Sequence, residues 1–238
     1  MSSRKFTQSQ RIKMNRSKRA AEKRLAQSLA RIPPRDVSNV RVGGFQNIEF
    51  KFLDTTKAST VVAATGTVLN DTLCAIPEGA GESSRVGRKV SVTKLDIRGW
   101  VQLANGTNEA QTDLIRIIVY LDKQSNGAAA TTAQLLETTD YLAFRNLENK
   151  DRFRVLHDYT MEFNRQAAAY DGTTDQYAAI KNNFFLSKKF TSNPITLQYS
   201  ASTPSVADLT SNNIGVIAIT ESGLASIQYV ARLRYTDN

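Results

Sequence analysis

The sequence predicts an all-β chain: a single eight-stranded antiparallel jelly roll, a β-sandwich, behind a basic and partly helical N-terminal arm. Three observations predict it. Beyond residue 45 the apolar side chains alternate in short runs separated by Gly, Asn, Asp, Ser and Pro, the period of half-buried strands. The connections are irregular and two are long, which suits a jelly roll better than an up-and-down barrel with its short hairpins. Charge is segregated: residues 1–35 hold eleven Lys or Arg against Glu22 alone, a net of +10, while the other residues net −1 out of a total of +9. The division expected is a basic arm over 1–40 and a jelly-roll domain over 41–238.

The arm opens with RKFTQSQRIKMNRSKRAAEKR, in which nine residues are basic. Residues 1–15 show no pattern and are expected to be flexible. From about 16 to 32 Ala21, Leu25, Leu29 and Ile32 recur at helical spacing. Pro33-Pro34 stops that helix, because the residue before a proline is pushed out of the helical region. A lone solvated helix is disfavoured by like charges at close spacing and by its short length. A membrane-surface helix would want Trp and a wider apolar face. What remains is an arm that orders on phosphates and releases their counterions. Its nucleic-acid-binding candidates are Arg4, Lys5, Arg11, Lys13, Arg16, Lys18, Arg19, Lys23, Arg24, Arg31 and Arg35. The same cluster would serve as a nuclear localisation signal, and an Arg-rich, acid-poor start also has the composition of a transit peptide.

The expected strands follow in order. NIEFKFLD (47–54) places Ile48, Phe50 and Phe52 on one face. In KVSVTKLDIRGWVQL (89–103) the apolar phase moves from Val90 and Val92 to Leu95 and Ile97, so a bulge is expected near Thr93-Lys94. DLIRIIVYLD (113–122) is almost continuously apolar, as a strand covered on both faces should be. DRFRVLHDYTMEF (151–163) aligns Phe153, Val155, Tyr159, Met161 and Phe163. NNFFLSKKF (182–190), PITLQYS (194–200), NNIGVIAITE (212–221) and ASIQYVARLRYTD (225–237) complete the eight. The spacers are 128–149, where AAATTAQLLETTDYLAF can form a short helix, and 165–180.

No catalytic constellation is found, and no enzyme is expected. His157 is the only histidine and sits on the apolar side of its strand, where a semi-buried structural role is the simpler reading. Cys74 is the only cysteine, so no internal disulfide or thiolate metal site can form, and it reads as a small buried hydrophobe. GAGESSRVGRK (79–89) lacks phosphate-loop spacing. Asp122, Asp140, Asp158, Asp171 and Asp175 fall in turns without calcium-loop spacing. No metal and no cofactor are expected. No apolar run approaches the length of a transmembrane helix, and no membrane partner is expected.

The segments GESSRVGRKVSVTKLDIRGW, IRIIVYLDKQSNG and YLAFRNLENKDRFRVLHD, behind a basic arm, resemble the capsid proteins of small circular Rep-encoding single-stranded DNA viruses. The layout is also similar to the coat protein of satellite tobacco necrosis virus. The resemblance spans most of residues 45–237 and is most specific at Gly87–Lys89, at Asp122-Lys123-Gln124 with Asn126-Gly127, and at Asn149–Leu156. It implies a virion protein, a homo-oligomer of sixty copies in a T=1 icosahedral shell, with host nucleus as an assembly site. The implied partner is packaged nucleic acid: single-stranded DNA, with RNA the alternative, because the arginine tract is shorter than in many such capsids. Pairing of the first and last strands would add Lys51, Arg232 and Arg234 as a weaker contact surface. Two rivals stand beside this reading. One is a cellular nucleic-acid-binding protein with a basic tail on a β-sandwich. The other is a sugar-binding or hydrolytic jelly roll, which would want an aromatic platform or paired carboxylates.

Overall fold

The computed structural model describes residues 50–103, 112–170, 175–179, 181–190 and 192–237. The arm candidates, the helix expected over 16–32 and the 40/41 boundary lie outside them. Among the described residues eleven strands are formed: β1 (Phe50–Val61), β2 (Thr67–Asn70), β3 (Lys89–Leu103), β4 (Thr112–Asp122), β5 (Phe153–Tyr170), β6 (Asp175–Ala179), β7 (Asn182–Lys189), β8 (Ile195–Tyr199), β9 (Leu209–Ser211), β10 (Asn213–Thr220) and β11 (Ala225–Asp237). A single helical turn, α1 (Thr132–Leu135), lies between β4 and β5. All strand pairs are antiparallel.

One sheet runs β1-β11-β3-β8-β9, with β7 also on β3, and the other runs β2-β10-β4-β5-β6. The first principal strand thus lies beside the last, the second beside the last but one, and so inward to β4 beside β5. That is an antiparallel ribbon wound into a jelly roll. β7 and β8 share one place in it. β7 pairs with β3 over Lys94–Val101 and β8 over Lys89–Val92, so they are two halves of one strand. The break carries Pro194, which has no N–H for a ladder.

The eight runs therefore do not match the eight strand positions one to one. Two expected strands fill one position, and β2 was not expected. Its sequence, TVLN, is too short to show alternation. β1 also extends to Val61 through a Thr- and Ser-rich stretch, held by its ladder to β11 rather than by apolar periodicity. Within 165–180, expected as a spacer, residues 165–170 instead extend β5 and pair with β6 (Asp175–Ala179). The bulge near Thr93 is present: Lys94 faces Arg234, while Val92 faces Tyr235.

The core between the sheets is built from Val90, Leu95, Ile97, Ile115, Ile117, Val119, Ile214, Val216, Ile227 and Leu233, among others. A second cluster, with Ile118, Tyr120, Ile217 and Ile219, lies on the other face of β4 and β10. The β4–β5 connection covers it through Ala130, Leu135 and Leu136. That is why β4 and β10 read as continuously apolar: both faces are covered. Arg116 fixes the cover, donating to both Asp158 carboxylate oxygens at 2.8 Å and to the carbonyls of Tyr141 and Ala143. The side expected for β5 is split. An irregularity sets His157 opposite Val119 but Val155 opposite Tyr120. Phe153 and Val155 therefore join the second cluster, while Leu156 and Met161 reach the first.

The glycine-rich loop before β3 is structural. Arg85 is fully buried, donates to the carbonyls of Ile76, Gly87 and Ala201, and lies 4.1 Å over the Tyr199 ring. Cys74 is buried, as expected, and desolvation pushes its thiol up to about 12.

Candidate nucleic-acid interface

Alternation in β1, β11, β3 and β7 gives their sheet one face in the core and one turned outward. The register aligns the outward residues in rows. Arg234 lies between Phe52 and Lys94, and Lys94 is followed by Lys189. Arg232 lies between Asp54 and Asp96, and Asp96 is followed by Ser187. Val230 lies between Thr56 and Arg98, and Arg98 is followed by Phe185. Among the described residues, the outward face thus carries Lys94, Arg98, Lys189, Arg232 and Arg234 against two carboxylates, Asp54 and Asp96. The neutrality of the body as a whole conceals this local excess.

Both carboxylates are engaged. Arg232 donates two hydrogen bonds of 2.6 Å to Asp54, and that interaction holds the Asp54 carboxyl below its ordinary value. Burial opposes ionisation of Asp96, but hydrogen bonds from Lys94 and Ser187 outweigh it and leave this carboxyl lowered too. Arg234 stands 3.9 Å from Asp96. The result is a fixed lattice of charge with the cations in excess.

Aromatic rings are interleaved with it. Arg232 lies 4.7 Å over Phe52, Arg98 5.3 Å over Phe185, and Lys181 4.5 Å over Trp100. Phe50 is 76% exposed and Phe185 58%, so water meets apolar rings beside the cations. Phe50, Phe52, Lys94, Lys189, Arg232 and Arg234 border an open hollow of about 500 Å³. Cations bind phosphates through charge, and exposed rings stack on bases, so such a face is chemically suited to a nucleic-acid strand.

The structure places the expected body residues unequally. Arg232 and Arg234 lie outward and adjacent on β11, as expected. Lys51 borders the same hollow but turns its side chain inward: it is 2% exposed, with its ammonium 3.4 Å from Asp237. The phase of β1 is opposite to the one expected, with Phe50 and Phe52 outward and Lys51 and Leu53 inward. The expectation followed the aromatic rings, and the fold turns those rings to the surface. Lys94, Arg98 and Lys189 were not foreseen. Their signal was present, since Lys94, Asp96, Arg98 and Trp100 occupy every second place in β3. Their convergence became visible only once strand neighbours were known.

Asp122 and Asp158, expected in turns, instead lie in the paired strands β4 and β5 and are held by arginines. Arg152 donates to Asp122 at 2.7 and 3.0 Å, and Arg116 to Asp158.

No family model and no curated protein matches the chain. Among solved structures it is similar to one described as "Crystal structure of 60-mer BFDV Capsid Protein". The identity is 9% and the TM-score 0.31, over 81% of this chain and 94% of that one.

Proposed function

We propose that this chain is a viral coat protein that self-assembles into a small icosahedral shell and packages a nucleic-acid genome through its basic N-terminal arm. The observation that carries the reading is the separation of charge, +10 in residues 1–35 against −1 in the rest, joined to a jelly-roll body. An arm so charged neutralises phosphates and gains by counterion release, without reading sequence. A body near neutrality can pack against copies of itself without strong net repulsion. The outward face of the β1-β11-β3-β7 sheet adds a second contact surface for the same cargo, with Arg232 and Arg234 at its centre. In this reading the protein resides in the virion, its cargo is single-stranded DNA or RNA, and the host nucleus is a site of assembly.

Electron microscopy of the purified full-length chain, with assay of nuclease-protected nucleic acid, tests it. Uniform small shells with protected cargo are expected. A chain that stays monomeric at high concentration would overturn it. The basic face on the folded body favours one second reading, a cellular nucleic-acid-binding protein that does not assemble. That protein would bind nucleic acid in solution and form no shell.

A further inference from the structure

A cavity of about 190 Å³ lies between the two sheets where the sandwich is open, between the exposed edge of β5 and the edge of β7. Its floor is apolar: Ile97, Ile117, Val119, Val216 and Tyr229, each nearly fully buried. Its mouth is lined by His157 and Tyr159 from β5 and, across from them, by Phe184 and Leu186, the inward-turned residues of β7. The His157 and Tyr159 rings stack at 5.9 Å and 14°, forming a flat wall.

The cavity is built into the packing. Phe184 meets Tyr229 edge-on, with ring centres 6.5 Å apart. Gly99 makes room for that contact, since a Cβ there would stand 2.7 Å from the Phe184 ring. The wall therefore cannot easily be filled by a larger residue at that position. Protein interiors are packed to a density of about 0.74 and few voids exceed a water molecule. Dry cavities of about 150 Å³ with such walls take up benzene-sized molecules.

We propose that this cavity is a binding site for a small amphiphile, an aliphatic monocarboxylate, with its tail between the sheets and its carboxylate at the mouth beside His157 and Lys188. Volume sets the tail: at interior packing density the space accepts about eight non-hydrogen atoms. Polarity sets the head. His157 lines the opening as a hydrogen-bonding group, Lys188 follows the lining Leu186 on the same side of β7 as the cation, and the lining residues include no carboxylate. Burial chiefly, and Lys188 more weakly, disfavour the imidazolium and hold the His157 pKa below its ordinary value. Asp158, next on the same strand, opposes that shift but is engaged by Arg116. The β4 residues facing the ring, Ile117 and Val119, are apolar. A bound carboxylate favours the charged imidazole, so binding tightens as pH falls toward 6. Occupancy clamps β5 to β7 and stabilises the sandwich by mass action. The site is independent of whether the chain forms shells.

His157 is the only histidine, so its imidazole resonances in the untagged full chain report on the mouth alone. Butanoate, hexanoate, octanoate and 1-octanol are titrated by NMR and by thermal shift. Each added methylene should tighten binding about fourfold until the cavity is full. Octanoate should move the His157 resonances, raise its pKa and bind more tightly than 1-octanol. Leu186→Trp, a change on the inward side of β7 that fills the cavity, should abolish the response in a protein that keeps a cooperative thermal transition. His157→Gln should retain the tail-length dependence but lose the preference for the carboxylate. Two results would overturn the proposal: His157 resonances that stay fixed up to the solubility limit, or an unchanged response in folded Leu186→Trp.

Discussion

Removing the arm should weaken nucleic-acid binding without abolishing it, and the remainder should reside on one sheet face. If about eight of the arm cations meet phosphates on a single strand, they contribute about −6 to the slope of log K against log salt. The sheet face offers Lys94, Arg98, Lys189, Arg232 and Arg234, less the charge of Asp54 and Asp96. That excess of about three phosphate contacts contributes about −2. The full chain should therefore show a slope near −8 and a chain lacking residues 2–32 a slope near −2. Arg232→Ser with Arg234→Ser in the shortened chain leaves an excess of about one, and a slope near −0.7. Fluorescence anisotropy with a labelled oligothymidylate, across a salt series on all three proteins, reads these values. Both arginines are about half exposed, and exposed ion pairs add little stability, so the thermal midpoint should hardly move. A slope of zero in the shortened chain would remove the sheet face from the interface. The full slope retained there would remove the arm.

Asp54→Asn releases Arg232 from its two-pronged pair, and the salt slope of the shortened chain should steepen by about 0.7. Phe50→Ala with Phe185→Ala should lower affinity for single strands while leaving the slope unchanged, because stacking releases no counterions; a changed slope would show that the rings act only by placing cations. Arg116→Met leaves Asp158 without its main partner under the β4–β5 cover, a loss of about 3 kcal/mol, or roughly 6–12 °C in thermal midpoint. Cys74 has its thiol pKa raised by burial from 9.0 to about 12. The unfolded chain ionises first, so the stability from this group is intact below pH 9 and declines as pH rises toward 12. Thiol-reagent labelling at pH 8 should accordingly proceed at the rate of unfolding.

The jelly roll was legible because its central strands announce themselves. β4 and β10 are apolar on both faces, and β11 alternates Ile227, Tyr229, Ala231, Leu233 and Tyr235 against polar neighbours. The bulge at Thr93 was legible from a shift in apolar phase. Edges were not. β2 is four residues long, and the second half of β1 is Thr-rich, so both are specified by the strand beside them rather than by their own composition. The split of β5 at Leu156 escaped for a related reason: a second apolar cluster outside the sandwich makes both sides of that strand look like core.

The charged face was half legible, and the reason bears on what it does. Net charge is a sum over the body, and sums erase arrangement. Among the described residues, the carboxylates other than Asp54 and Asp96 lie off this face, on the other sheet, the connections and the strand ends, so a body near neutrality still presents one positive side. Lys51 shows the converse error, since counting it as a surface cation ignored that a strand turns every second residue inward. Phe50, at the start of β1, borders the hollow lined by Lys94, Lys189, Arg232 and Arg234. Two binding elements on one chain act on a common ligand at high effective concentration. On the proposed function, arm and face are two such elements. Coupling of that kind predicts that the affinity of the full chain exceeds what the shortened chain and an isolated arm peptide show when added in trans. Equality of the two would mean that arm and face bind separate strands.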